Sequence, residues 1–234
     1  GRGARGWAGG DRFPDEGPWA APRKLRHRLF GYASTRGGGG LDPDALTIAF
    51  SRRFAPYKRA TLLMSDRERL AKLLANQKRP IQFIFSGKAH PADLPGKALL
   101  HDIVELARAE ARVTFLEDYD IDVARHLVQG ADIWLNNPRR FLEASGTSGM
   151  KAAAKGVLNR SGLEGWWDEA YRPEVGWAIP SGATIDRQGT DDLAEAEALY
   201  RLLEREVPGV YWDRDQDGVP HRWLTMMKAS IRRL

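Results

Sequence analysis

The sequence predicts an α/β protein built on a doubly wound parallel sheet. Three observations carry this: four short, nearly continuous apolar runs, helical patterns between them, and loops rich in glycine, charge and polar groups directly after each run. A strand buried on both faces reads as an unbroken apolar stretch, whereas a half-exposed strand alternates. Parallel neighbours need a crossover, usually a helix, and that crossover is right-handed.

The first strand is expected at residues 46–50 (Leu-Thr-Ile-Ala-Phe), followed by one helix over about 58–76 with apolar Leu62, Leu63, Leu70, Leu73 and Leu74. Strands follow at 81–85, 113–116 and 133–135, with helices between them at about 96–109 and 121–129. Beyond these, a glycine-rich turn opens a helix expected at 151–155. In such sheets ligands bind outside the carboxyl ends of the strands. The loops 51–58, 86–91, 117–120 and 136–149 should therefore converge on one crevice.

Residues 1–40 differ in character: they combine GRGARGWAGG, a short helix expected around 22–30, and a flexible glycine tract at 37–40. Low complexity argues against an independent core there. The expected division is a glycine-rich basic leader over 1–40 and one Rossmann-like domain over 41–234. The chain of 234 residues has net charge +5, and the leader, with eight basic and three acidic residues, holds all of that excess. Charge confined to a glycine-rich leader does not form a structured basic face, which argues against a nucleic-acid partner. There is no run of 18 apolar residues and no secretory signal core, so no membrane association is expected. With no cysteine, disulfides and thiolate metal sites are excluded, which suits a cytoplasmic protein.

Two loops hold the candidate chemistry. Arg52-Arg53-Phe54-Ala55-Pro56-Tyr57-Lys58-Arg59 sets several cations where a strand ends; arginine forks and lysine ammonium groups bind phosphate, although a solvated basic loop has the same composition. Glu143-Ala144-Ser145-Gly146-Thr147-Ser148-Gly149-Met150-Lys151 is a small-residue turn entering a helix. Unpaired backbone amides in such a turn suit an anion, and a lysine just inside can pair with it or form a Schiff base with an aldehyde cofactor. Glycine and serine before a helix are also ordinary capping chemistry.

EASGTSGMK, with RRFAPYKR, GKAHP, FLEDYD and NNPRRFLEASG in this order, resembles the alpha-glucan (glycogen, maltodextrin) phosphorylase family, and its bacterial branch most closely. The likeness runs from about Asp42 to the C-terminus. It implies the C-terminal half of a two-domain GT-B glycosyltransferase fold and the cofactor pyridoxal 5'-phosphate. By this resemblance Lys151 is the Schiff-base lysine, Thr147 and Ser148 lie in the turn binding the cofactor phosphate, and Arg52 contacts that phosphate. Tyr119 packs near the cofactor ring. Arg53 and Lys58 hold the substrate phosphate, while Glu143, Ser145 and Gly146 meet the hydroxyls of the glucosyl unit. The implied reaction is phosphorolysis of an α-1,4-glucan to α-glucose 1-phosphate with retained configuration, the cofactor's phosphate acting beside inorganic phosphate. Cations must then offset the repulsion of two adjacent phosphates.

The alternative is a retaining nucleotide-sugar glycosyltransferase of the same architecture, similar to glycogen synthase. Those enzymes commonly carry a second Glu eight positions after the first; here that position is Lys151, which favours pyridoxal phosphate. No metal is expected: Asp213-Arg214-Asp215-Gln216-Asp217-Gly218 imitates a calcium loop, but Leu224 stands where a ligand carboxylate is required, so an acidic surface turn is the reading. Trp166 and Trp167 suit either a sugar platform or packing. The resemblance implies an N-terminal domain forming the other crevice wall, final helices beyond Leu234, poor activity of this part alone, and homo-oligomer formation if the orphaned face is apolar. Three residues depart from the family pattern: Phe141 replaces proline, Lys155 asparagine, and Arg160 an apolar residue that would otherwise need no partner in the sheet.

Overall fold

A computed structural model describes residues 16–139, 141–179 and 190–233; the GRGARGWAGG segment and Leu234 lie outside the described residues. The core is a six-stranded, wholly parallel sheet in the order β3-β2-β1-β4-β5-β6, with β1 Leu46–Ser51, β2 Ile81–Ser86, β3 Val113–Leu116, β4 Ile133–Asn136, β5 Leu158–Gly162 and β6 Gly176–Ile179. This is the expected doubly wound fold. Side chains alternate between faces: Ile48, Phe50, Phe83, Phe85 and Leu135 enter one cluster, while Ala49, Ile84 and Trp134 enter the other.

Helices cover both faces. α2 (Arg67–Leu74), α3 (Leu94–Ala109), α7 (Thr190–Arg201), α8 (Val207–Tyr211) and α9 (His221–Arg233) supply the first cluster; α1 (Glu16–Ser34), α4 (Ile121–Gly130) and α5 (Thr147–Ala153) supply the second. Between α7 and α8 the helix passes through a π-helical turn, Leu202–Glu206. α6 (Trp166–Ala170) lies between β5 and β6. No helix among the described residues is long and apolar enough to cross a membrane.

The expected short helix in the leader is corrected to the 19-residue α1, which joins the sheet's own core: Leu29 and Ala33 are fully buried against Val123 and Leu127. The crossing with α4 is close because Gly130 has no side chain; a Cβ there would lie 2.6 Å from the Leu29 Cβ. The glycines expected to be a flexible tract instead stop this helix. Gly37 takes φ 79°, and the Gly38 amide donates 2.8 Å to the Ala33 carbonyl, a Schellman-type ending.

The single helix expected over 58–76 is also corrected. The chain forms 3-10 turns at Pro56–Lys58 and Ala60–Met64, separated by a left-handed step at Arg59 (φ 49°), and α2 starts only after Asp66, whose carboxylate accepts from the Arg69 amide at 2.9 Å. The leucines keep a helix-like spacing through all three segments, so periodicity alone merges them. The glycine-rich helix begins four residues earlier than expected, which puts Lys155 beyond its end. In the acidic turn, Asp215 accepts from the amides of Asp217 (3.0 Å) and Val219 (2.8 Å) and pairs with the His221 ring.

Two buried arginines lie away from the crevice. Arg26 on α1 pairs with Asp132 at the start of β4, donates to the Pro43 carbonyl at 3.2 Å, and is flanked by the rings of Trp19 and Tyr211. Asp132 also accepts from the Thr47 amide at 2.8 Å. Removing one member of such a pair strands a buried charge, so Arg26→Ala should lose about 3–5 kcal/mol in urea unfolding.

Arg160 on β5 is fully buried between Leu135 and Trp177, and its three guanidinium nitrogens have no hydrogen-bond partner among the described residues. Burial pulls this guanidinium down to about 9, against the opposing charges of Glu195 and Glu206. Arg160→Met should therefore stabilise the chain by about 1–4 kcal/mol at neutral pH. The folded chain sheds this proton before the unfolded chain does, so the cost of the buried charge fades as pH rises above about 9. The advantage of methionine in urea unfolding should shrink over the same range.

Candidate functional site

The order of strands reverses between β1 and β4, so the loops leaving their carboxyl ends diverge and open a crevice between them. Arg52, directly after β1, is buried and reaches across this point. Its guanidinium donates to the side-chain oxygen of Asn136, the last residue of β4, and lies 3.4 Å from a Glu143 carboxylate oxygen. Asn136 in turn donates to the Ser161 hydroxyl at 2.8 Å, extending the chain of contacts to β5. The first loop is pressed against the one after β2: a Cβ on Gly87 would fall 2.0 Å from the Arg52 carbonyl oxygen, so only glycine fits.

Lys58 ends the first 3-10 turn, where the left-handed step at Arg59 holds it inward. It is buried, ion-paired with the same Glu143 oxygen that faces Arg52, and its ammonium sits 4.7 Å from the centre of the Tyr57 ring. Arg53 is exposed and donates to the Tyr57 hydroxyl at 3.3 Å. Burial would raise the Tyr57 phenol, but hydrogen bonds from Arg53 and Lys58 hold it below its ordinary value. Arg59 is buried too. It donates to the carbonyls of Asn137 and Pro138 at 2.9 Å and pairs with Asp192 and Glu195 on α7. Its own carbonyl accepts from the Asn137 side chain at 2.9 Å.

Glu143 is positioned by a second carboxylate. Its backbone amide donates to Glu164 at 3.3 Å, and the preceding Phe141 adopts φ 66°, a strained conformation for a residue with a side chain. Proline, with φ fixed near −65°, could not take that conformation. Burial pushes the Glu164 carboxyl up and the neighbouring Glu143 charge adds to this, while the amides of Glu143, Phe141 and Leu142 oppose it.

The glycine turn lies beside this cluster. Gly146 (φ 82°) is the residue before α5, and a Cβ on it would lie 3.9 Å from the Asn136 side-chain nitrogen. Gly149 is constrained more tightly: a Cβ there would fall 2.7 Å from Asn159 Oδ1 and 3.0 Å from Trp166 Nε1. Asn159 donates to the Gly149 carbonyl, and the Trp166 amide to the Ser145 carbonyl, each at 3.0 Å. Trp166 thus backs the turn, while Trp167 is buried packing. Ser145 and Thr147 are exposed, Ser148 is half-buried, and Lys151 is exposed one turn into α5, anchored by the buried Ala152 and Ala153. Tyr119, half-buried after β3, packs on the cluster that contains Ala152.

Of the residues singled out from sequence, the structure joins Arg52, Lys58 and Glu143 directly, Arg53 through Tyr57, and Gly146 through Asn136. Asn136, Asn159 and Glu164 lie outside the residues singled out from sequence, and so does the anchoring role of Arg59, whose charge the basic loop shows. Their partners come from loops far away in sequence, and only the convergence of loops at the strand ends could have pointed to them.

Comparison with known proteins identifies the family. The family described as "Carbohydrate phosphorylase" matches residues 19–167. A glycogen phosphorylase of Aquifex aeolicus is 47% identical over 195 residues, covering 82% of this chain and 28% of that protein. A glycogen phosphorylase of Mycobacterium tuberculosis is 48% identical over 197 residues, covering 83% and 23%. A maltodextrin phosphorylase of Thermococcus litoralis is 42% identical over 241 residues, covering 97% and 28%. The chain thus spans less than a third of the length of these relatives, and over the part it spans it belongs to the carbohydrate phosphorylase family.

Proposed function

We propose that this chain is the cofactor- and phosphate-binding part of an alpha-glucan phosphorylase that takes pyridoxal 5'-phosphate at Lys151. The observation that carries the reading is the meeting, at the switch point, of the buried cations Arg52 and Lys58 with the glycine turn that leads to Lys151. The residues suit the cofactor. Gly149 keeps the turn free of side chain where Trp166 and Asn159 press on it, and the Nε of Arg52 is buried with no hydrogen-bond partner among the described residues.

On this reading Lys151 supplies the amine that anchors the cofactor aldehyde, with Thr147, Ser148 and Arg52 around its phosphate and Tyr119 beside its ring. The cofactor contributes a phosphate group able to exchange a proton with inorganic phosphate. Arg53 and Lys58 hold that inorganic phosphate and offset the charge repulsion between the two. Glu143 accepts from sugar hydroxyls, with Ser145 and Gly146 alongside. The substrates are then an α-1,4-glucan and phosphate, the product α-glucose 1-phosphate, and the setting cytoplasmic. Apolar side chains exposed just beyond the strand ends, Leu94, Ile121, Phe141 and Leu142, support a second domain facing this edge, or a second copy of the chain where that domain is lacking.

Incubation with pyridoxal phosphate, borohydride reduction and peptide mapping by mass spectrometry should give one label per chain, on Lys151, and none on that peptide in Lys151→Ala. Labels scattered over surface lysines would sink the reading. Gly149→Ala places a methyl against Asn159 and Trp166. It should cost about 1–3 kcal/mol in denaturant unfolding and sharply reduce the yield of label at Lys151.

A further inference from the structure

The two buried cations assigned to phosphate groups already share one carboxylate from within the chain. One oxygen of Glu143 faces both: it pairs with Lys58 and lies 3.4 Å from Arg52, and all three side chains are nearly buried, at 8%, 7% and 13% exposure for Lys58, Arg52 and Glu143. At such separations in a partly dry site, an ion pair is worth several times its value in water. An incoming dianion must compete with this carboxylate, and once seated it repels it. The backbone of Glu143 does not need to move for that exchange, because Glu164 holds its amide at 3.3 Å. Glu164 also sets a second carboxylate beside Glu143, so the Glu143 side chain lies between two cations that attract it and one neighbour of like charge.

We propose that Glu143 is a resident competitor for anions at Lys58 and Arg52: a phosphate dianion displaces its side chain, and the released carboxylate becomes available to a sugar hydroxyl. Phosphate binding then prepares the sugar subsite, and in the empty site the carboxylate offsets part of the buried charge of the two cations. The proposal rests on the reading above, which gives Lys58 to inorganic phosphate and Arg52 to the cofactor's phosphate, and its test uses the chain without cofactor. The exchanging groups are also faced by Tyr57, against Lys58, Asn136, which accepts from Arg52, and Glu164, beside Glu143.

The test is binding of inorganic orthophosphate to the chain by isothermal titration calorimetry, at fixed pH and ionic strength, for wild type, Glu143→Gln and the double variant Glu143→Gln/Lys58→Ala. Glu143→Gln should bind orthophosphate at least about tenfold more tightly than wild type, and the double variant should lose that gain. Circular dichroism establishes that each variant is folded. If Glu143→Gln does not fold, Glu143→Asp, with its carboxylate one methylene shorter, should show a smaller gain in the same direction. Equal or weaker binding by the folded variant, or none at all, overturns the proposal. Labelling of Lys151 by pyridoxal phosphate is read separately, so a failure here is distinguishable from a failure of the cofactor assignment.

Discussion

Buried positive charge at the switch point is the constraint around which this structure is organised. Arg52, Lys58 and Arg59 all leave β1 within eight residues, and all three are nearly inaccessible. A buried guanidinium or ammonium is tolerated only where acceptors are supplied in the right geometry. Here they come from elsewhere in the sequence: the Asn136 side chain, the carbonyls of Asn137 and Pro138, and the carboxylates of Glu143, Asp192 and Glu195. The loop after β1 is therefore fixed only when the loop after β4 and the start of α7 are in place.

The other end of β4 is held by the same kind of interaction with the signs reversed. Asp132, just before the strand, receives Arg26 from α1 and the Thr47 amide from β1. A strand of four residues is thus tied at both ends by charge-assisted bonds, and Arg26 adds the faces of Trp19 and Tyr211 to the knot. α1 belongs to the core for this reason. It carries the cation that neutralises a carboxylate at the base of the central strand pair, and its Leu29 fills the space left by Gly130. The two knots divide the labour, one closing the amino edge of the sheet and the other holding the site open at the carboxyl edge.

The fold was legible where burial acts on both faces of a strand. β1 to β4 show as apolar runs because helices cover each side, and their ends were placed within a residue. β5 and β6 were not legible: Asn159, Arg160 and Ser161 break the apolar signal, although each is buried. The failure over 58–76 has a different cause, since leucines spaced for a helix also pack correctly from two 3-10 turns and a short helix. At the site, the signature residues of the glycine turn and the basic loop could be read from local composition. Glu164, Asn136 and the anchoring role of Arg59 could not, because nothing near them in sequence marks those roles; they arise from contacts between loops that only the sheet order brings together.

Arg160 shows why the working cations lie at strand ends. It is buried even more deeply than Arg52, yet Arg52 is met by Asn136 and Glu143 while Arg160 has no hydrogen bond among the described residues. The difference lies in the backbone around them. Within a sheet the amides and carbonyls are committed to the ladder, so a cation on β5, in register with Leu135 and Trp177, finds no hydrogen-bond partner among the described residues and feels only at a distance the charges of Glu195 and Glu206. Past the end of a strand the ladder stops, carbonyls such as those of Asn137 and Pro138 become available, and loops can deliver carboxylates that are able to move. A cation at that edge has a partner that can be exchanged for a ligand. In mid-strand the same charge is only a cost.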